Sequence, residues 1–136
     1  MLNELAEKIH TNAVAHGFYD NEKVNIPEKL MLIVSELGEA MEAYRNEHYS
    51  DISTFERHSD KEQIERYKKI NYLDDKDNGF DIMFESFIKD GVQDEIADTI
   101  IRLLDLCGYM NIDIDKHIEL KMKYNESRPY KHGKIC

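Results

Sequence analysis

Apolar residues recur at helical spacing in four stretches of this chain, separated by polar connections, and no stretch keeps a period-two alternation. Leu2, Leu5, Ala6, Ile9 and Ala13 mark the first helix, with Gly17 as its stop. Asn25-Ile26-Pro27-Glu28 then reads as a helix start, with Asn as cap, proline in the first turn and Glu three residues after the cap. From there Leu30, Ile33, Val34, Leu37, Met41 and Tyr44 form a continuous apolar stripe, expected to face the core. Glu36 and Glu39 flank that stripe. They share their side with Ala40 and Ala43, whose small side chains let another element approach closely.

From Asn46 to about Asn78 the chain turns polar and reads as an insertion, approximately residues 46–80. Ser59 with Glu62 is expected to cap a single helix there, running through Tyr67 and Ile70. Phe80, Ile82, Met83, Phe84, Phe87 and Ile88 restore apolar density as a short helix entering the core. Asp90, with Gln93, can cap the next long helix, whose apolar face is Val92, Ile96, Ile100, Leu103, Leu104, Cys107 and Met110. Gly108 and Asn111 signal its end. Asp113 or Asp115 starts a last helix with Ile114, Ile118 and Met122 inward, ending before Arg128-Pro129 because proline disfavours a helical residue ahead of it. The class is all-α. Four principal helices with short connections, apart from the insertion, predict an antiparallel bundle-like protomer.

A chain of 136 residues fits one domain, taken as residues 1–136. No apolar run is long enough to span a membrane, and the acidic amphipathic start lacks the basic and apolar regions of a signal peptide, so a cytoplasmic protein without a membrane partner is expected. The net charge of −10 argues against a general nucleic-acid binder, which must neutralise phosphates with Lys and Arg. That charge is uneven. From Lys116 onward Lys116, Lys121, Lys123, Arg128, Lys131 and Lys134 outnumber Glu119 and Glu126, which suits a small polyanion or a solvated C-terminus. Cys107 and Cys136 have no metal spacing and read as reduced thiols.

The chemistry concentrates in carboxylates. In Asp94-Glu95-Ile96-Ala97-Asp98 the side chains of Glu95 and Asp98 lie one turn apart above an apolar stripe, and Glu36 and Glu39 repeat the spacing on the earlier helix. Packing the two helices together would gather four acidic groups, which repel one another unless a cation, a basic partner or a shared proton intervenes. Oxygen ligands without His or Cys select Mg²⁺, with Mn²⁺ as a substitute. A two-iron bundle site would carry Glu-x-x-His, and neither Glu36 nor Glu95 has His three residues on. On the last helix Lys121, Asn125 and Arg128 fall at i, i+4 and i+7, one face with two cations and an amide if the helix extends that far. Asn125 also suits a cap, and Tyr124 and Tyr130 can stack on a base or fill a gap.

The helix pair carrying Glu36-Leu37-Gly38-Glu39 and Asp94-Glu95-Ile96-Ala97-Asp98, followed by Lys121–Lys134 reading KMKYNESRPYKHGK, resembles the MazG-like nucleoside triphosphate pyrophosphohydrolases of the all-α NTP pyrophosphatase superfamily. The resemblance covers the second helix and Gly91–Lys134, the first helix loosely, and the insertion not at all. It implies a MazG-type protomer with an insertion between the two carboxylate helices. Glu36, Glu39, Glu95 and Asp98 would be ligands of Mg²⁺, and Glu36 or Glu39 would orient or deprotonate the attacking water. Lys121, Asn125 and Arg128, with Tyr130 and Lys131, would contact an NTP or dNTP. The implied reaction releases a nucleoside monophosphate and pyrophosphate, a nucleotide-pool house-cleaning activity in a homodimer or homotetramer. Two features depart from the family: Ser35 stands where a further Glu is frequent, and 55 residues separate Glu39 from Glu95, more than the usual spacing. The rival reading is a catalytically inactive helical protein that binds nucleotide or metal in a regulatory role.

Overall fold

The first apolar spacing folds as α1 (Leu2–Ala15), which ends before Gly17 at φ +80°, a left-handed conformation that costs glycine no Cβ clash. The computed structural model describes residues 1–20, 23–71, 73 and 78–129. Six further helices follow among them: α2 (Ile26–Arg45), α3 (Ile52–His58), α4 (Lys61–Asn71), α5 (Gly79–Phe87), α6 (Val92–Tyr109) and α7 (Ile114–Glu126). The described residues are all-α, without a strand, and none of their helices is long and apolar enough to cross a membrane.

The chain divides into two units, one made of Met1–Leu30 with Ile101–Cys136 and the other of Met31–Ile100. In the first, α1 packs on α7. The Asp115 carboxylate accepts the backbone N–H groups of Leu2 (3.0 Å) and Asn3 (3.1 Å), donors that the first turn of a helix leaves without intrahelical partners. Asn3 reciprocates, donating its amide to Asp113 at 2.8 Å and accepting the Asp115 N–H at 3.2 Å. Asp113 also caps its own helix by accepting from the Lys116 N–H at 3.1 Å.

The same unit holds a polar hub. Asp105, 9% exposed, accepts the Tyr19 hydroxyl at 2.6 Å and lies 2.9 Å from His10 Nδ1, with Lys29 Nζ 3.8 Å away. The Tyr19 ring stacks on Tyr109 and lies beneath Lys29 Nζ, 4.1 Å from the ring centroid. Burial, then the bond to Asp105, raises the Tyr19 pKa well above its ordinary value.

In the second unit α5 packs against α3 and α4, with Met83 wholly buried. The expected insertion holds α3 as well as the anticipated α4, and α5 overlaps its end. α3 starts where Asp51 accepts from the Thr54 N–H at 2.9 Å. α4 is capped by Asp60 rather than Ser59, the Gln63 N–H donating to Asp60 at 2.9 Å, because the Ser59 hydroxyl is committed to the Phe55 carbonyl. Both stems of this excursion are pinned side by side. The Asp51 N–H donates to the Phe87 carbonyl (2.7 Å), the Ser50 hydroxyl to the Ile88 carbonyl (2.7 Å), and the Val92 N–H to the His48 carbonyl (3.0 Å).

The apolar stripes do not face where their periodicity suggested. On α2 the buried positions are Ile33, Glu36, Ala40 and Ala43, whereas Leu30, Val34, Leu37, Met41 and Tyr44 are exposed. On α6 Leu104 and Leu106 are buried, while Ile96, Ile100 and Leu103 are exposed, as is Met110 just past its end; on α7 Ile118 and Met122 are exposed too. α2 is apolar on two sides, and its small-residue side is the one covered.

Candidate metal centre

Two local devices set the turns that carry the carboxylates. α2 begins with the Glu28 N–H donating to the Asn25 side chain at 3.3 Å, the expected cap, so Glu36 falls on the covered face with Ala40 and Ala43. α6 begins at Val92, so Gly91 rather than Asp90 precedes its first turn. The Asp90 N–H donates to the Asp94 carboxylate at 3.0 Å, and the Gln93 amide oxygen accepts the Ser50 N–H at 2.9 Å. Gly91 itself lies against Ser50. A Cβ added there would come within 2.6 Å of the Ser50 backbone nitrogen. These contacts hold the first turn of α6 against the segment that follows α2.

On this support Glu36, Glu39 and Glu95 converge: each offers a carboxylate oxygen, and the three oxygens lie within 4.8 Å of one another. Glu36 and Glu95 are each 5% exposed, while Glu39 is open to solvent. One oxygen of Glu95, Oε2, is buried and accepts no hydrogen bond, and no other buried side-chain polar atom among the described residues is left so. Burial first, and then the charges of Glu39, Glu36, Asp94 and Asp98, push the Glu95 carboxyl up to about 7. Thr99, buried one turn on, donates its hydroxyl to the Glu95 carbonyl at 2.9 Å and leaves the carboxylate uncontested.

A buried acceptor with no donor, on a side chain that converges with two further carboxylates, is a costly arrangement that a bound cation would relieve. The donor set consists of hard oxygens alone, with no nitrogen or sulfur ligand, and so fits Mg²⁺ or Mn²⁺ rather than zinc or copper.

The remaining candidates fall differently. Asp98 is exposed and stands outside the converging three, although its charge still contributes to raising Glu95. Lys121, Asn125 and Arg128 belong to the other unit. α7 ends at Glu126, so Arg128 lies beyond the helix and not on a continuous helical face with Lys121 and Asn125. Its guanidinium nonetheless sits 5.7 Å from the Tyr124 ring centroid, with Lys121 Nζ at 5.2 Å, so one aromatic ring carries both cations. Asn125 is within α7 and does not cap its start; its carbonyl accepts the Arg128 N–H at 3.2 Å. Tyr130, Lys131 and Cys136 lie outside the described residues. The bond from the Asp90 N–H to Asp94 was not anticipated, and the brace from Ser50 to Gln93 had no local signal because its partners lie 43 residues apart.

No protein-family model, curated protein or solved structure matches the chain.

Proposed function

We propose that the chain is a divalent-cation-dependent nucleoside triphosphate pyrophosphohydrolase of the MazG-like kind, working on the nucleotide pool of the cytoplasm. The observation that carries this reading is the buried, unpartnered Oε2 of Glu95, on a carboxylate that converges with those of Glu36 and Glu39. Glu36, Glu39 and Glu95 would hold Mg²⁺ or Mn²⁺, which when bound neutralises phosphate oxygens and stabilises a pyrophosphate leaving group. Asp98 is a further candidate ligand on the same helix.

Water oxygen attacks the α-phosphorus, the bond from that phosphorus to the oxygen bridging to the β-phosphorus breaks, and the products are a nucleoside monophosphate and pyrophosphate. Among the three glutamates Glu39 alone is exposed, and it is the group this reading assigns to take the proton from water. Glu36 and Glu95, both buried, act as ligands. Lys121, Asn125 and Arg128 are assigned to the nucleotide, as are Tyr130 and Lys131, on the sequence resemblance. A homodimer or homotetramer belongs to the same reading.

The test is a panel of NTPs and dNTPs with Mg²⁺, the products being separated by chromatography. Monophosphate with pyrophosphate, lost in Glu39→Gln and Glu95→Gln, is the expected result. Release of inorganic phosphate with a nucleoside diphosphate, or no turnover by the folded protein, overturns the assignment.

A further inference from the structure

α7 uses its basic residues in two ways. Lys116 is paired with Glu119 at 2.9 Å, whereas Lys121 forms no ion pair among the described residues and holds its Nζ 5.2 Å from the centre of the Tyr124 ring. Arg128 comes to the same ring, at 5.7 Å, from beyond the helix end. The turn that brings it back is closed by the Ser127 hydroxyl, which donates to the Tyr124 carbonyl at 2.7 Å, and by the Arg128 N–H, which donates to the Asn125 carbonyl at 3.2 Å. All of these residues belong to the unit of Met1–Leu30 with Ile101–Cys136.

Two like charges gathered on one ring repel each other, and the negative face of the ring offsets only part of that repulsion. A ligand with several negative charges offsets the rest. Attraction to a ring asks for no oxygen acceptor, so it does not compete with a phosphate oxygen for a donor as a carboxylate partner would. Beside the ring lies an open hollow of about 540 Å³ lined by His117, Ile118, Leu120, Lys121 and Tyr124, with no acid among them. On a chain of net charge −10, a polyanion can approach these cations without first meeting a carboxylate in that lining.

We propose, resting on the reading that Lys121 and Arg128 touch the nucleotide, that Tyr124 is a positioning residue for its polyphosphate: the ring seats both cations for phosphate oxygens and does not stack on the base. Ordering long side chains opposes binding, and cations already seated on a ring have less freedom left to lose. Such a ring makes affinity depend on the phosphates and not on the base.

Calorimetric titration with inorganic tripolyphosphate in Mg²⁺ tests this, because the probe has no base to stack and needs no turnover. Wild type and Tyr124→Phe should bind alike. Tyr124→Leu, a change at a 57% exposed position, should keep its helical circular dichroism and bind about fivefold more weakly, the scale of exposed cation–ring contacts. That penalty should vanish in a Lys121→Ala/Arg128→Ala background, and in turnover it should appear as a higher KM at unchanged kcat for every base. Weaker binding in Lys121→Ala and Arg128→Ala but not in Tyr124→Leu would overturn the positioning role alone. Tripolyphosphate binding that is absent in wild type, or unaffected by Lys121→Ala and Arg128→Ala, would remove those two residues from the nucleotide site and the proposal with them. A Tyr124→Phe loss as large as that of Tyr124→Leu, a penalty that survives without the two cations, or one confined to a single base would also overturn it.

Discussion

Glu36 on α2 and Glu95 on α6 are each buried to 5% exposure, and together with Glu39 they bring carboxylate oxygens within 4.8 Å of one another. Two buried acids in that relationship destabilise the metal-free protein whenever both are charged.

The first prediction is a pH slope. The Glu95 carboxyl is raised from an ordinary value of 4.5 to about 7 in the folded protein, so between those values the folded state holds a proton that the unfolded state has released. The contribution of Glu95 to the stability of metal-free protein is therefore greatest below about 4.5, falls as pH rises through 7, and is flat above, a loss on the order of 3 kcal/mol. Glu95→Gln should abolish the slope and raise Tm at pH 8 in chelator. Denaturant titrations at pH 5 and pH 8 check it, and equal slopes in both proteins would refute the linkage.

Gly91→Ala tests the brace beneath the centre. Its Cβ would stand 2.6 Å from the Ser50 nitrogen, a backbone atom that cannot rotate away. Overpacking of this kind costs about 1–3 kcal/mol, measurable in urea. The substitution should also weaken Mg²⁺-induced stabilisation, because the first turn of α6 carries Glu95. A neutral effect on both would show that α6 is positioned by other contacts.

The Asp105 hub yields a graded pair. Tyr19→Phe removes one hydrogen bond to a buried carboxylate and should cost about 1.5–3 kcal/mol. Asp105→Ala strips the partner from the Tyr19 hydroxyl and from His10 together and should cost more. Chemical denaturation of the two variants orders them, and an Asp105→Ala effect no larger than that of Tyr19→Phe would contradict the hub.

Asp115 is held down to about 2, chiefly by its hydrogen bond from the Met1 ammonium and then by the Asn3 and Leu2 N–H groups. A lowered carboxylate stabilises above its unfolded value of 3.8 and loses that contribution as pH falls toward 2. Asp115→Asn should lower Tm at pH 7 and narrow its gap to wild type as the solution is acidified. A gap that persists unchanged at the acid end would place the effect elsewhere than in this charge.

Much of this arrangement was legible in the chain, and the exceptions have physical causes. Asn25, Gly17 and Asp113 announce helix ends through local backbone chemistry, and the structure uses each of them so. The convergence of Glu36, Glu39 and Glu95 follows from helical spacing beside small residues. Which seam of α2 faces inward was not legible. Leu30, Val34, Leu37, Met41 and Tyr44 carry more apolar surface than Ala40 and Ala43, yet the alanines are covered, and periodicity marks a helix without naming its partner. α3 escaped notice because Ile52–His58 is short and polar, its start resting on the Asp51 cap. Arg128 falls off the helical face because Pro129 follows it.

Whether Glu36, Glu39 and Glu95 form one divalent-cation site is read by a titration with Mn²⁺ followed by electron paramagnetic resonance. Wild-type protein should show one saturable class of bound ion, displaced by Mg²⁺ and absent in Glu36→Gln and Glu95→Gln. Equal Mn²⁺ binding by wild type and both variants would mean that the buried carboxylates are not ligands and that the three glutamates form no cation site.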